Sequence, residues 1–223
     1  MLRHLLQNGF SIETVVGICS SIFVVFCTMP IHEFAHAFTA DKLGDPTPRR
    51  QGRLTLNPLA HLDLWGCILI LLIGFGYAKP VPVNMRNFKN PKAGMALVAL
   101  AGPLSNLVMA YCFLVFRVLS LLFVSGSFSQ VLSFFFYYAA YINISLAVFN
   151  ILPIPPLDGS RIATALLPNS FYYKIMQYER YIMIALFVLL LTGALTTPLG
   201  YLSDAAMKGL NRLAVLPFRS LIG

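Results

Sequence analysis

The chain has 223 residues, of which 58% are hydrophobic and 11% charged, and its formal net charge is +8. A soluble domain has about 45–50% apolar and about 25% charged residues, so this composition excludes an ordinary soluble enzyme and predicts a multi-pass α-helical membrane protein. The basic residues lie between the apolar runs, as juxtamembrane lysine and arginine do, so the positive charge does not predict a nucleic-acid partner.

The first apolar run, residues 11–40, is long enough to cross a membrane and contains the motif H-E-F-A-H at 32–36. Residues four apart lie on one face of an α-helix, so His32 and His36 can bind one Zn²⁺ while Glu33 accepts a proton from water. A shuffled chain of this composition would contain H-E-x-x-H about once in a thousand. An ionisable residue at membrane depth is by default functional. The alternative is that the motif occurs by chance and that its histidines only make ordinary hydrogen bonds.

A short alternation of polar and apolar side chains follows in the polar connection, at residues 53–57. Its position between Gly52 and Pro58 predicts a short β element, and an irregular loop is the alternative. An extended substrate could add to the edge of such a strand.

The next apolar stretch, residues 64–78, has only 15 residues and contains three glycines. A length below about 17 residues favours a re-entrant segment over a membrane span. Arg117 lies inside a span and is left out. The other Lys and Arg residues support this interpretation, because four spans divide them eleven to four between the two sides, whereas five spans divide them eight to seven. Under the positive-inside rule, the side with eleven is cytoplasmic.

Three further apolar runs predict the remaining spans, at residues 95–124, 131–152 and 181–195. Residues 203–223 carry three basic side chains on an apolar background, which predicts an interfacial helix. The expected fold is therefore an all-α polytopic membrane protein with about four transmembrane helices, a re-entrant segment and a short β element.

A single membrane-embedded domain accommodates this order of elements. We expect it to cover residues 1–223, with a core at 11–161 and a C-terminal span and interfacial helix at 162–223. The four cysteines lie in apolar runs without C-x-x-C spacing, which predicts neither a disulfide framework nor a cysteine metal site.

A catalytic zinc site needs a third protein ligand and an open position. The candidates are Asp41, Asp45, His61, Asp63 and Asp158. Asp158 is favoured, because it follows a proline-rich end of the third span, where freed backbone groups need protein or a water cavity around them. With four spans, the third span runs in the same direction as the first, so Asp158 and the two histidines lie at the same end.

Three motifs together resemble the signatures of the site-2 protease family (peptidase M50) of intramembrane zinc metalloproteases. They are H-E-F-A-H at 32–36, A-G-P-L-S-N at 101–106 and N-I-L-P-I-P-P-L-D-G at 150–159, in order on three successive spans. The stretches 57–63 and 79–84 resemble the compact branch of the family, which lacks PDZ and CBS domains.

The resemblance implies one Zn²⁺ per chain, bound by His32, His36 and Asp158, with Glu33 as the general base. The implied activity is hydrolysis of peptide bonds in or near transmembrane helices of membrane-protein substrates, as in regulated intramembrane proteolysis. The implied location is a bacterial cytoplasmic membrane, with the active site toward the cytoplasm. Membrane lipid is the other implied partner.

Two amides and a histidine complete the candidate site. By resemblance, Asn150 would hold the substrate backbone near the scissile bond, and Asn106 would brace the site or the oxyanion. Hydrogen bonding between spans is the alternative for both amides. His61 would line the site or lie at the membrane interface.

Two functions of other classes stay open at this point: a zinc-binding membrane transporter, and a catalytically silent membrane scaffold. A transporter needs further polar residues along a path, and the apolar runs carry almost none. A scaffold would tolerate the loss of Glu33, which is present together with all three candidate ligands.

Overall fold

The computed structural model describes residues 11–63, 66, 79–167 and 177–222. The segment predicted to be re-entrant, 64–78, lies outside the described residues except for Gly66. The described residues form ten α-helices. They are α1 (Ile12–Phe23), α2 (Met29–Lys42), α3 (Thr47–Arg50), α4 (Pro58–His61), α5 (Pro91–Phe123), α6 (Ser127–Asn150), α7 (Asp158–Ala165), α8 (Glu179–Leu191), α9 (Thr196–Val215) and α10 (Arg219–Ile222).

Three helical stretches are long and apolar enough to cross a membrane: Ile12–Lys42, Pro91–Phe123 and Ser127–Asn150. Helix α8 and the helical stretch Thr196–Leu221 are bent by 83° relative to each other. If the two together form one broken span, the structure has a fourth span. The structure thus has three or four candidate spans, and the chain is a multi-pass helical membrane protein.

The first span changes its packing partner halfway along. Ser20 on α1 donates a hydrogen bond to the Phe135 carbonyl of α6 at 3.1 Å, whereas α2 packs against α5. A π-helical turn, Val24–Thr28, separates the two parts. Such a turn holds one extra residue, which rotates the following helix by about 100°. The turn therefore lets one span present α1 to α6 and the histidine face of α2 to α5.

Helices α5 and α6 form the central antiparallel pair. They are joined by a tight turn at Gly126, whose φ of +77° suits glycine. The shared core contains small residues that allow close approach of the backbones. Its buried members are Val24, Ala110, Phe113, Leu114, Ala139, Ala140, Ile144, Met207 and Ala214.

The C-terminal part differs from the predicted single span at 181–195. Helix α8 ends at Leu191, and α9 begins at Thr196 after a turn in which Gly193 has a φ of +75°. Helix α9 begins earlier than the predicted interfacial helix, and its Met207 joins the core between α5 and α6. The break falls at the end of the apolar run, where Gly193 lies in the turn and Pro198 in the first turn of α9.

The β element predicted at 53–57 is wrong, since the described residues contain no strand. Local partners occupy the groups that a strand would use. The amide of Arg53 donates to the Pro48 carbonyl at 2.8 Å, and the Thr55 carbonyl is 2.7 Å from Nε2 of His61. The Arg53 side chain is buried and donates to the carbonyl of Ala60. The stretch is therefore an irregular loop without an edge on which a substrate strand could add.

A buried aspartate joins the two connections that flank the 64–78 segment. Asp45 is fully buried and accepts hydrogen bonds from the Asn84 amide at 2.7 Å and the Asn87 side chain at 2.6 Å, and also from Thr47. Burial alone would raise the pKa of the Asp45 carboxyl, but these hydrogen bonds outweigh it and hold the pKa below its ordinary value. The chain thus returns after residue 78 to the place it left before residue 64.

Candidate metal centre

Helix α2 presents both histidines toward α5. His32 and His36 are each 7% exposed, and their Nε2 atoms are 3.1 Å apart. Pro30 lies in the first turn of α2, directly after the π-helical turn Val24–Thr28. Glu33 lies between the histidines in sequence and is 8% exposed, so a carboxyl group is kept beside them in a largely water-poor place.

The first residue of α7 completes the group. Oδ2 of Asp158 lies 3.4 Å from Nε2 of His32 and 3.3 Å from Nε2 of His36. This oxygen is buried and has no hydrogen-bond partner. Among the described residues, these three side chains form the group of His, Cys, Asp or Glu ligand atoms that lie within 4.8 Å of one another.

The three ligand atoms fit a tetrahedral zinc ion. Zinc binds imidazole nitrogen and carboxylate oxygen at about 2.0–2.1 Å, which separates neighbouring tetrahedral ligand atoms by about 3.3–3.4 Å. The observed separations of 3.1, 3.3 and 3.4 Å match that edge length. Three protein ligands leave a fourth position open, as in catalytic zinc sites.

The backbone of α5 orients one of the imidazoles. Nδ1 of His36 lies 2.7 Å from the Val98 carbonyl, and a carbonyl can only accept, so Nδ1 carries the proton. Nε2 of His36 then carries the free lone pair, and it is the ring nitrogen that faces Asp158. A hydrogen bond at the far nitrogen is the usual way in which proteins fix a metal-binding histidine. Sequence reasoning missed Val98, because a main-chain carbonyl leaves no side-chain signal.

Two glycines allow this close assembly. A Cβ added to Gly102 of α5 would overlap the imidazoles of His32 and His36. A Cβ added to Gly159 would overlap the Ile151 carbonyl, where α7 folds back over the end of α6. Both positions therefore require a residue without a side chain.

A lysine that the sequence analysis did not single out fastens the other end of α7. Nζ of Lys92, in the first turn of α5, donates to the Leu167 carbonyl at 2.6 Å. This bond satisfies a carbonyl just beyond the helix end, a favourable place for a cation. Since α7 begins at Asp158, the bond helps to fix the helix that carries the candidate ligand.

The two candidate amides are not part of the ligand group. Asn106 is 2% exposed and lies one helical turn beyond Gly102, on the same face of α5. Asn150 is partly buried and is the last residue of α6, shortly before the turn that leads to Asp158.

The other candidate ligands have partners elsewhere. Asp41 forms a two-point ion pair with Arg49, and Asp63 accepts from the Gly66 amide at 3.0 Å. His61 is fully buried in α4, where its Nε2 lies 2.7 Å from the Thr55 carbonyl. A carbonyl can only accept, so Nε2 donates and His61 acts in the loop rather than in the ligand group.

Comparison with known proteins gives a consistent result. The family model described as peptidase family M50 matches residues 118–193. A Bacillus subtilis protein named "Putative zinc metalloprotease YwhC" is 43% identical over 206 residues, which cover 90% of this chain and 91% of the relative. No solved structure matches the chain.

Two more distant relatives carry the same kind of name. A Methanocaldococcus jannaschii protein named "Putative zinc metalloprotease MJ0611" is 33% identical over 143 residues, covering 64% of this chain and 68% of the relative. A Mycolicibacterium smegmatis protein named "Putative zinc metalloprotease Rip2" is 34% identical over 138 residues, covering 58% of this chain and 50% of the relative.

Proposed function

Because the chain belongs to peptidase family M50, the intramembrane zinc metalloproteases, we propose that His32, His36 and Asp158 bind its zinc ion and that Glu33 is the general base. The observation that carries this assignment is the set of three ligand atoms at tetrahedral spacing on α2 and α7. A transporter or a silent scaffold would have no use for a carboxyl group kept beside such a group.

The proposed chemistry divides between the metal and the protein. Zinc, when bound, supplies a Lewis acid that polarises the scissile carbonyl and makes water more acidic. Glu33 takes the proton from the attacking water and delivers it to the leaving amide nitrogen. Helix α2 keeps the Glu33 carboxyl group near the candidate metal centre, because residue 33 follows His32 directly.

We propose that the substrate is a transmembrane helix of another membrane protein. The amides of a helix are bonded internally, so the helix must unwind locally before its carbonyl can reach the centre. Asn150 would then bind the freed substrate backbone, and Asn106 would support the centre from α5. Asn106 is buried and Asn150 is partly buried.

We propose that this end faces the cytoplasm of a bacterial cell, and that segment 64–78 enters and leaves the membrane on that side. Supporting the second point, Asp45 before the segment bonds to Asn84 and Asn87 after it. The amide of Lys79 also donates to the His61 carbonyl at 2.8 Å. The whole chain would then form one membrane-embedded protease domain.

Cleavage of a panel of single-span peptides by the purified full-length protein tests the substrate class. Each peptide is made in two forms, one with a Leu/Ala-rich span and one with a Gly/Pro pair placed near the depth of the centre. We expect zinc-dependent cleavage, stopped by a chelator and restored by zinc, and faster in the Gly/Pro form. Equal cleavage of both forms would contradict the need for unwinding, and no cleavage of any peptide would contradict the substrate class.

A further inference from the structure

An arginine lies within the second span, at the end opposite to the metal centre. Arg117 is fifteen residues beyond Gly102 on α5, which places it about 22 Å away along the helix. Nε of Arg117 donates to Ser133 of α6 at 3.2 Å, and its guanidinium lies 5.3 Å from the Tyr137 ring centre. Among the described residues, no carboxylate pairs with it. A charged group at membrane depth normally has such a partner or a polar path to water.

Two more arginines follow later in the chain, Arg212 on α9 and Arg219 at the start of α10. Asn211 lies 3.5 Å from Arg117 and also lines a cleft of about 460 Å³. Arg212 and Arg219 line the same cleft, and neither forms an ion pair within the described part of the chain. The acidic residue of α9, Asp204, lies two helical turns away.

The cleft combines these cations with an apolar wall. Val215 and Leu216 are its remaining lining residues. A guanidinium has five N–H donors in a fork that matches phosphate oxygens, and the hydrogen bonds of Arg117 to Ser133 and Asn211 use only part of them. All five lining residues lie between positions 211 and 219, so the cleft is formed by α9 and the helical stretch that follows it. Basic side chains on a helix at the membrane surface attract anionic lipid headgroups, whose acyl chains need an apolar surface beside the charge.

We propose that this cleft binds the phosphate of an anionic phospholipid in the leaflet opposite to the metal centre. Arg212 and Arg219 contact the phosphate, the acyl chains lie on Val215 and Leu216, and Asn211 links the headgroup to Arg117. The lipid thereby supplies the counter-charge that the protein does not provide. A zwitterionic lipid cannot do so, because its own ammonium group balances its phosphate.

Native mass spectrometry of the full-length protein tests the site with phosphatidylglycerol, with phosphatidylcholine of the same acyl chains, and with inorganic phosphate. We expect one retained phosphatidylglycerol per chain, in preference to phosphatidylcholine. The Arg212→Gln/Arg219→Gln variant should bind it about tenfold more weakly or worse, since each surface cation adds to anionic lipid attraction. Both side chains are exposed, so the variant should fold.

The matched control is Arg86→Gln/Lys89→Gln, which removes two exposed cations near the opposite end. It should keep the wild-type affinity for phosphatidylglycerol. An equal loss of phosphatidylglycerol affinity in both variants would show that only the net charge of the protein matters, and this would overturn the proposal. Equal binding of the two lipids, or displacement of the lipid by millimolar inorganic phosphate, would also overturn it.

Discussion

Gly102 lies against His36 so closely that no Cβ fits between α5 and the imidazole. We predict that Gly102→Ala forces the two helices apart and weakens zinc binding by about 10–100-fold, as changes next to metal ligands commonly do. Elemental analysis of the purified variant after dialysis against a weak chelator measures this. A full complement of zinc in the variant would show that the helices can separate without harm.

The matched control is Gly17→Ala on α1, where a Cβ would meet nothing within 4 Å. Alanine is preferred over glycine in a helix by about 1 kcal/mol, so this variant should keep its zinc and be slightly more stable.

We predict about one tightly bound Zn²⁺ per chain, lost in His32→Ala/His36→Ala and weakened in Asp158→Asn. Losing two of three ligands removes the site, whereas an amide oxygen remains a poorer neutral ligand than a carboxylate. His61→Gln is the control, because its amide can still donate to the Thr55 carbonyl. Stoichiometric zinc in the double histidine variant, by elemental analysis, would refute the ligand assignment.

Segment 64–78 should not carry the chain across the membrane. We predict that single cysteines at positions 49 and 86 react with a membrane-impermeant reagent from the same side, in a chain whose native cysteines are replaced. The hydrogen bonds of Asp45 to Asn84 and Asn87 are the physical reason. A cysteine at Ser125, between α5 and α6, should react from the opposite side. Opposite labelling of positions 49 and 86 would rule out a re-entrant segment.

Asp45 should make the stability of the folded protein depend on pH. Its pKa is lowered in the folded protein, so its stabilising effect is fully present above the unfolded value of about 3.9 and is lost as the pH falls through the folded pKa. We predict that Asp45→Asn lowers the unfolding temperature at pH 7, and that the difference from wild type narrows below pH 4. A scan of unfolding temperature between pH 7 and pH 3 measures this.

Asp41→Asn serves as its control, because the partner Arg49 is 63% exposed and exposed pairs contribute little. A difference between wild type and Asp45→Asn that stays constant over the pH range would show that the carboxylate charge is not the cause.

The long spans could be predicted because apolar length alone decides them. The run at 95–124 became the helix Pro91–Phe123, and the run at 131–152 became Ser127–Asn150. The β element at 53–57 failed for a physical reason: Arg53 turns inward to bond with the carbonyl of Ala60, and alternation of residue types does not reveal such a contact.

The candidate centre was accessible to sequence reasoning only through its side chains. His32, His36 and Asp158 stand in recognisable motifs, and the structure gathers them. The carbonyl of Val98 belongs to no motif, because any residue there would offer the same group. The π-helical turn Val24–Thr28 also has no clear sequence signature, although it sets the direction in which the histidines point.

The most direct test of the proposed mechanism compares Glu33→Gln with Glu13→Gln, which places the same substitution at the exposed start of the first span. Glutamine keeps the size of Glu33 but cannot accept the proton, and general-base help is typically worth about 10²–10⁴ in rate.

Cleavage of a single-span peptide is measured at equal zinc content for both variants. We expect Glu33→Gln to keep its zinc and fold and to lose at least a hundredfold in rate, while Glu13→Gln cleaves like wild type. Cleavage by Glu33→Gln within a few-fold of wild type would contradict the role of Glu33 as the general base.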